Sequence, residues 1–178
     1  YNYAHIGNAR MAVVFDTFVR TLRIFYPKVT YVSNITDIDD KIIEAAHEQK
    51  VEISSITEKY TKIYNDDMAK LNVLMPDIQP KATEYIPEMI ELIEDLISKD
   101  FAYEKDGHVL FHVPNYDNYG KLSKRNRDEQ IAGSRVEIAP FKKDPADFVL
   151  WKPSDKSQPG WDSPWGVGRP GWHTECSA

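Results

Sequence analysis

A tetrapeptide near the start of the chain has the composition of a phosphate-binding turn. His5-Ile6-Gly7-Asn8 precedes a run of apolar residues spaced by three and four, which predicts an amphipathic helix. The first turn of a helix offers unbonded N–H groups and the positive end of the helix dipole, and both attract phosphate. His5 and Asn8 could donate hydrogen bonds to phosphate oxygens, and Gly7 would let a nucleotide approach closely. A helix cap is the alternative interpretation.

Three carboxylates form a second candidate site. Asp37, Asp39 and Asp40 follow a β-branched and aromatic run at residues 29–32, which predicts a strand. Ligands bind at strand ends in open α/β sheets, so these carboxylates could hold a metal ion or a substrate ammonium group. Asp39 and Asp40 could instead be the N-cap and first-turn acids of the next helix. Thr36 and Asp37, nearer the turn, are the better functional candidates.

A third candidate site lies at residues 172–176, which bring an aromatic ring, an imidazole, a carboxylate and a thiol together. In a helix, Trp172 and Cys176 would share a face. The thiolate could bind zinc, or act as a nucleophile with His173 as its base. Cys176 is the one cysteine of the sequence, and a zinc site takes three or four protein ligands, so a buried inert thiol is the alternative.

Periodicity and turn residues predict the elements that position these candidates. Four helices are predicted, over residues 14–25, 41–48, 55–71 and 83–99. From residue 101 the pattern changes to short strands, predicted at 101–103, 109–113 and 147–151. Asp106-Gly107 is a hairpin-turn pair between the first two strands. Residues 153–171 predict an ordered loop, because their tryptophans are costly to leave in water.

Composition and charge narrow the class of protein. With 42% hydrophobic residues in 178, the chain can bury the core of one domain, or of one domain with an inserted lobe. The net charge of −6 argues against non-specific coating of nucleic acid. One basic cluster could still contact RNA phosphate, although a solvated charged loop is the alternative; it comprises Lys121, Lys124, Arg125 and Arg127.

The termini and the cysteine content suggest a compartment. No signal peptide or membrane-spanning segment is predicted, and a single cysteine excludes an internal disulfide framework. We therefore expect a soluble cytoplasmic protein with no membrane partner. Because the first residue is Tyr1, we also expect that its true N-terminus is missing.

Four blocks, in order along nearly the whole chain, resemble the cysteinyl-tRNA synthetase family. Residues 1–10 resemble its version of the class I HIGH signature, with Asn8 in place of the last histidine. Residues 34–40 resemble its Asn-Ile-Thr-Asp-Ile-Asp-Asp block, and residues 147–152 its Asp-Phe-x-Leu-Trp-Lys strand. Residues 164–177 resemble its most specific stretch. Any one block could arise by chance, but four in sequence are a strong signal.

The resemblance implies an α/β fold: an incomplete Rossmann-like class I catalytic domain, truncated at both ends, with a small connecting lobe of mixed α/β or β character. The first part of the catalytic domain would occupy residues 1–100 and the lobe about 101–146. Residues 147–178 would return to the catalytic domain and carry the cysteine- and zinc-binding segment.

The resemblance also implies ATP-dependent activation of cysteine to cysteinyl-adenylate, with Mg²⁺, and its transfer to tRNA(Cys). His5 and Asn8 would be catalytic, stabilising charge on the α-phosphate, and with Gly7 would bind ATP. Thr36 and Trp172 would line the cysteine pocket. Cys176 would be one ligand of Zn²⁺, which binds a thiolate far better than a hydroxyl and so would remove the need for editing.

The family's other zinc ligands and its Lys-Met-Ser-Lys-Ser loop have no counterpart in this sequence. We therefore expect the isolated chain neither to hold zinc tightly nor to activate cysteine. Two alternatives are a cysteine ligase of mycothiol biosynthesis, with an amino-sugar acceptor, and a non-catalytic synthetase-like module that binds RNA or protein. The first fits residues 147–152 and the lobe less well, and the second would have lost His5, Gly7, Thr36 or Trp172. The oligomeric state stays open, with a monomer favoured.

Overall fold

The computed structural model describes residues 2–124, 140–171 and 174–178, and the chain divides into two compact units, Tyr1–Glu84 and Tyr85–Ala178. Each unit has its own arrangement of helices or strands around its own buried side chains. Within the described ranges, no helix is long and apolar enough to cross a bilayer.

The first unit is built from helices. They are α1 (Ile6–Phe25), α2 (Asp40–Gln49), α3 (Ile53–Lys70) and a 3₁₀ turn at Ala82–Glu84. The three predicted helices of this region are confirmed. Helix α1 begins eight residues before the first predicted position, because the capping side chains of His5 and Asn8 start it upstream of the apolar spacing used for the prediction.

Two small apolar clusters hold these helices together. Ala9 and Ala12 of α1 pack with Met68 of α3. In the second cluster, Ile42 and Ala46 of α2 pack with Ile56 of α3. Helix α3 is therefore the common partner of the other two helices in this unit.

The strand predicted at residues 29–32 does not form. The chain there makes isolated parallel bridges, Val32 with Ile78 and Ile35 with Lys81. A continuous parallel ladder would need a backbone N–H at residue 80 to donate between these bridges, and Pro80 has none. The pairing resumes where the Ala82 N–H donates to the Ile35 carbonyl at 3.0 Å.

The second unit combines a helix with an antiparallel sheet. After α4 (Ile86–Ser98), the strands described are β1 (Ala102–Lys105), β2 (His108–Phe111), β3 (Phe148–Pro153) and β4 (Gly168–Pro170), in the order β1-β2-β3-β4. The predicted hairpin is confirmed: Asp106 and Gly107 have φ of 54° and 75°, as a tight turn between β1 and β2 requires. The predicted helix at 83–99 is divided into the 3₁₀ turn and α4.

Glycines allow the last strand to lie against β3. A Cβ on Gly168 would lie 2.3 Å from Nε1 of the fully buried Trp151, so no larger residue fits there. Trp161 forms an antiparallel bridge with Gly168, and the ring of Trp165 lies 6.0 Å from that of Trp151. The loop predicted at residues 153–171 is ordered at these tryptophans, but residues 168–170 form the strand β4.

The compact units are not the predicted domains. Strands predicted for the connecting lobe, β1 and β2, share one sheet with β3 and β4 from the segment assigned to the catalytic domain. One sheet therefore contains strands from both sides of the domain boundary that the resemblance implies between residues 146 and 147. The division into residues 1–100, 101–146 and 147–178 stays a prediction.

A buried carboxylate organises one corner of the second unit. The Asp147 side chain is inaccessible to solvent and accepts hydrogen bonds from the Tyr103 hydroxyl at 2.8 Å and from the Val113 and Asp144 backbone N–H groups at 3.0 and 3.1 Å. His112 Nδ1 lies 3.1 Å from the same carboxylate. Burial, and to a smaller extent this carboxylate, raises the pKa of Tyr103 to about 12.

Asp147→Asn should destabilise the second unit, because an amide nitrogen cannot accept the hydrogen bonds that a carboxylate oxygen accepts. We expect a loss of about 3 kcal/mol in the free energy of unfolding, measured by urea denaturation. The control Asp162→Asn makes the same chemical change at an exposed loop position and should cost less than about 0.5 kcal/mol. Equal losses in the two variants would contradict a structural role for the buried carboxylate.

In the first unit, Asp16 is also a buried carboxylate that accepts hydrogen bonds, as Asp147 is in the second unit. It accepts from Arg20 Nε and from the Leu74 backbone N–H, both at 2.8 Å, and these bonds lower the pKa of its carboxyl group. Because its pKa is lower in the folded chain, its stabilisation should be complete above the unfolded pKa of about 3.9 and be lost as the pH falls below it.

Asp16→Ala should therefore lower the free energy of unfolding by about 1–3 kcal/mol at pH 7, and by less at pH 3. Urea denaturation at both pH values measures this difference. Asp66→Ala, which breaks the exposed α3 pair with Lys62, is the control and should change stability little at either pH. A deficit of Asp16→Ala that is the same at both pH values would exclude the ionised carboxylate as its cause.

Candidate functional site

His5 is the N-cap of α1. Its backbone is extended, with φ −110° and ψ 173°, and its ring Nδ1 accepts a hydrogen bond from the Gly7 N–H at 3.0 Å. In return, the Asn8 side-chain oxygen accepts from the His5 backbone N–H at 3.1 Å. This reciprocal capping box satisfies backbone donors that the first turn would otherwise leave unbonded. The cap interpretation of the tetrapeptide is thus confirmed.

The cap also determines where the remaining donors of these side chains are. Since Nδ1 of His5 accepts, the neutral ring carries its proton on Nε2, at the opposite edge of the imidazole. Since the Asn8 oxygen accepts, its Nδ2 group is the donating end of that side chain. Both residues are exposed. The arrangement therefore offers a ring N–H and an amide NH₂ beside the positive end of α1.

Gly7 has a steric role that the sequence did not reveal. A Cβ at Gly7 would lie 2.8 Å from Cε1 and 3.0 Å from Nδ1 of the His5 ring. Its φ lies outside the left-handed region, so backbone conformation is not the reason for a glycine here. The missing side chain leaves room for the capping imidazole.

The carboxylates after residue 36 have structural partners. Asp39 is the N-cap of α2 and accepts from the Lys41 N–H at 2.9 Å, while Asp40 is the first residue of that helix. The buried Asp37 accepts from the backbone N–H of Thr83 at 3.0 Å and from its hydroxyl at 2.6 Å. Capping is thus confirmed for Asp39, and Asp37 fixes the 3₁₀ turn to this segment.

Thr36 lies between the buried Asp37 and the parallel pairing at Ile35, and it is exposed. Both neighbours have contacts that fix the backbone on either side of it. Thr36 is therefore an exposed residue of the first unit, and the contacts of Ile35 and Asp37 fix the backbone on both sides of it.

Cys176 lies in a turn at the end of the second unit, with its thiol exposed. The turn is fixed to β3 by the buried Thr174, whose hydroxyl donates to the Leu150 carbonyl at 3.1 Å. The Gly171 N–H donates to the same carbonyl at 2.7 Å. The interpretation of Cys176 as a buried thiol is thus wrong. Trp172 and His173 lie outside the described residues, so the predicted helical face shared by Trp172 and Cys176 stays a prediction.

The described residues do not by themselves make a zinc site. Among them, no three His, Cys, Asp or Glu side chains come close enough to hold a metal ion together. Cys176 offers one soft donor, and a tetrahedral zinc site needs more. Zinc binding therefore stays a hypothesis about the whole protein.

The predicted basic cluster is described only in part. Lys121 and Lys124 are exposed, and Lys121 Nζ donates to the Asn118 side-chain oxygen. Arg125 and Arg127 lie outside the described residues.

Known proteins match the chain from end to end. A protein named cysteine--tRNA ligase from Parvibaculum lavamentivorans is 66% identical over 178 residues, which are 100% of this chain and 38% of that protein. Proteins of the same name from Rhodospirillum rubrum and Xanthomonas axonopodis pv. citri are 60% and 58% identical, and the chain covers 39% and 37% of their lengths. The chain thus spans less than two-fifths of these relatives.

The family model of the tRNA synthetases class I (C) catalytic domain matches residues 1–178. The match agrees with the α/β class predicted from the sequence and with the mixture of helices and strands in the two units. The chain therefore belongs to the class I (C) family of tRNA synthetases.

Proposed function

We propose that the protein carrying this chain activates cysteine with ATP to cysteinyl-adenylate and transfers the cysteinyl group to tRNA(Cys). The relatives that match the chain carry the name of this activity. The observation that supports the chemistry best is the capping box of α1, which holds the donors of His5 and Asn8 beside a helix N-terminus.

In this reaction the carboxylate of cysteine attacks the α-phosphate of ATP, and pyrophosphate leaves. Negative charge builds up on the α-phosphate oxygens in the transition state. The Nε2–H of His5 and the Nδ2 group of Asn8 would donate to these oxygens. Mg²⁺ bound with ATP would supply positive charge for the leaving phosphates. His5 and Asn8 would transfer no proton; they would act by electrostatic stabilisation.

Preorganisation is what the capping box adds. The His5 ring is already held by the Gly7 N–H, so little reorientation is needed when the charge develops. Gly7 would serve the ATP site in two ways, by leaving room for the ring and by letting the nucleotide lie close to the backbone.

We assign Thr36 and Trp172 to binding of the amino acid, as the family resemblance implies, and Cys176 as one ligand of Zn²⁺. The exposure of the Cys176 thiol supports its availability to a metal ion. Zinc, when bound, would supply a soft Lewis acid for the thiolate of the substrate. Further ligands would have to come from outside the described residues. Work in translation would place the protein in the cytoplasm.

A substitution can separate the capping role of His5 from its role toward phosphate. Asn is a good N-cap, so His5→Asn should keep the stability of the first unit but lose the Nε2–H donor. We expect cysteine-dependent exchange of pyrophosphate into ATP by the whole protein to fall about 10²–10³-fold. Thermal unfolding of the same samples measures the cap.

His5→Ala is the matched comparison. It removes both the cap and the donor, so it should lose about 1 kcal/mol of stability as well as activity. If His5→Asn keeps wild-type exchange, the imidazole is a cap only. If the wild-type protein forms cysteinyl-adenylate but passes it to an amino sugar and not to tRNA, the assigned acceptor is wrong.

Cys176→Ser should lower the zinc content of the whole protein well below one ion per chain, because a hydroxyl is a poor zinc ligand. Metal analysis after dialysis measures this directly. Ser177→Ala, one residue away, should keep its zinc. Unchanged zinc in Cys176→Ser would remove the residue from the metal site.

A further inference from the structure

Five aromatic rings cluster in the second unit, and none of them was assigned a role above. Phe111 is central: its ring lies 5.1 Å from that of Phe148 and 6.5 Å from that of Phe101, and both pairs are nearly parallel. Tyr116 and Tyr119 complete this aromatic patch. The three phenylalanines are half-buried.

The two tyrosines form the outer surface of the patch. Tyr116 packs edge-on against Phe101 at 5.7 Å, and Tyr119 lies 6.0 Å from both Phe111 and Phe148. Tyr116 is 42% exposed and Tyr119 is 40% exposed. Their rings are therefore held from below by other rings and remain accessible from outside, which is how a stacking surface is built.

The tyrosines lie in a series of tight turns. The Tyr119 N–H donates to the Tyr116 carbonyl at 2.9 Å, and the Lys121 N–H to the Asn118 carbonyl at 3.1 Å. The same stretch exposes Leu122, at 99%, together with Lys124.

The local charge differs from that of the whole chain. Residues 115–124 carry two cations, Lys121 and Lys124, and one acid, Asp117, so their net charge is +2 − 1 = +1. The chain as a whole carries −6. A polyanion would therefore be attracted to residues 115–124 more strongly than to the average surface of the protein.

Exposed aromatic rings beside lysines are the combination that binds single-stranded nucleic acid. Every base has a face that can stack on a tyrosine, and lysines neutralise the neighbouring phosphates. A purely apolar partner would gain nothing from the lysines. We propose that the aromatic patch, with Lys121 and Lys124, binds unpaired nucleotides of RNA. This assignment rests on the proposed function, under which the RNA is tRNA.

Two double variants of the whole protein test the proposal: Tyr116→Ala with Tyr119→Ala, and Lys121→Ala with Lys124→Ala. The tyrosine pair should raise the KM for tRNA in aminoacylation about 5- to 100-fold, as expected for lost stacking. The lysine pair should raise it as well, and should reduce the slope of log affinity against log salt by about 1.4. Pyrophosphate exchange, which needs no tRNA, should stay within about twofold of wild type in both.

Matched controls separate binding from folding. Tyr116→Phe with Tyr119→Phe keeps the rings and should keep the wild-type KM for tRNA. Lys62→Ala with Lys70→Ala removes two exposed cations of α3 and should not change it. If the alanine variant of the tyrosines unfolds, the KM for tRNA of the lysine variant alone tests the proposal.

An unchanged KM for tRNA in both double variants would overturn the proposal. Loss of self-association by sedimentation, with that KM unchanged, would assign the patch to a second copy of the chain and overturn it too. If the wild-type protein shows no cysteine-dependent exchange, the proposed function fails, and binding of a single-stranded RNA oligonucleotide by fluorescence anisotropy then decides on the patch itself.

Discussion

The first turn of α1 has to satisfy its backbone N–H groups, and the way it does so determines what the site can do. A serine or aspartate at the N-cap would have met this need with one side-chain oxygen. Here an imidazole nitrogen accepts from the Gly7 N–H, which leaves the other ring nitrogen as a donor. One ring nitrogen of His5 thus caps the helix, and the other is the donor of the candidate phosphate site. The cap and functional interpretations of the tetrapeptide are therefore compatible.

Sequence patterns predicted correctly the elements whose formation depends on residues close together in the chain. The helices of the first unit follow from apolar spacing, and the β1–β2 hairpin follows from Asp106-Gly107, whose positive φ values the turn requires. The strand expected at residues 29–32 was wrong because pairing depends on a partner far along the chain. Pro80 keeps the bridges at Val32 and Ile35 from joining into one ladder, and no property of residues 29–32 themselves could have shown it.

Some roles in the candidate site could likewise be predicted from chain position, and others depend on contacts made only in the folded chain. His5, Asn8 and Asp39 could be named as caps from their positions alone. The steric role of Gly7 could not be predicted, because it depends on the position of the His5 ring. Asp37 and Asp147 find their side-chain partners tens of residues away, at Thr83 and Tyr103, so their structural roles appear only in the folded chain. The exposure of Cys176 likewise depends on contacts that fix its turn to β3.

The proposed phosphate site requires that Nδ1 of the His5 ring caps α1 while Nε2 carries the ring proton. Long-range ¹H–¹⁵N NMR of the whole protein, labelled at histidine and assigned with His5→Asn, observes both ring nitrogens directly. We expect the ring proton on Nε2 before ligand is added, because Nδ1 accepts from the Gly7 N–H, and a saturable shift of Nε2 when ATP and Mg²⁺ are added. A proton on Nδ1, or ring signals that do not respond to ATP, would exclude the proposed role of His5.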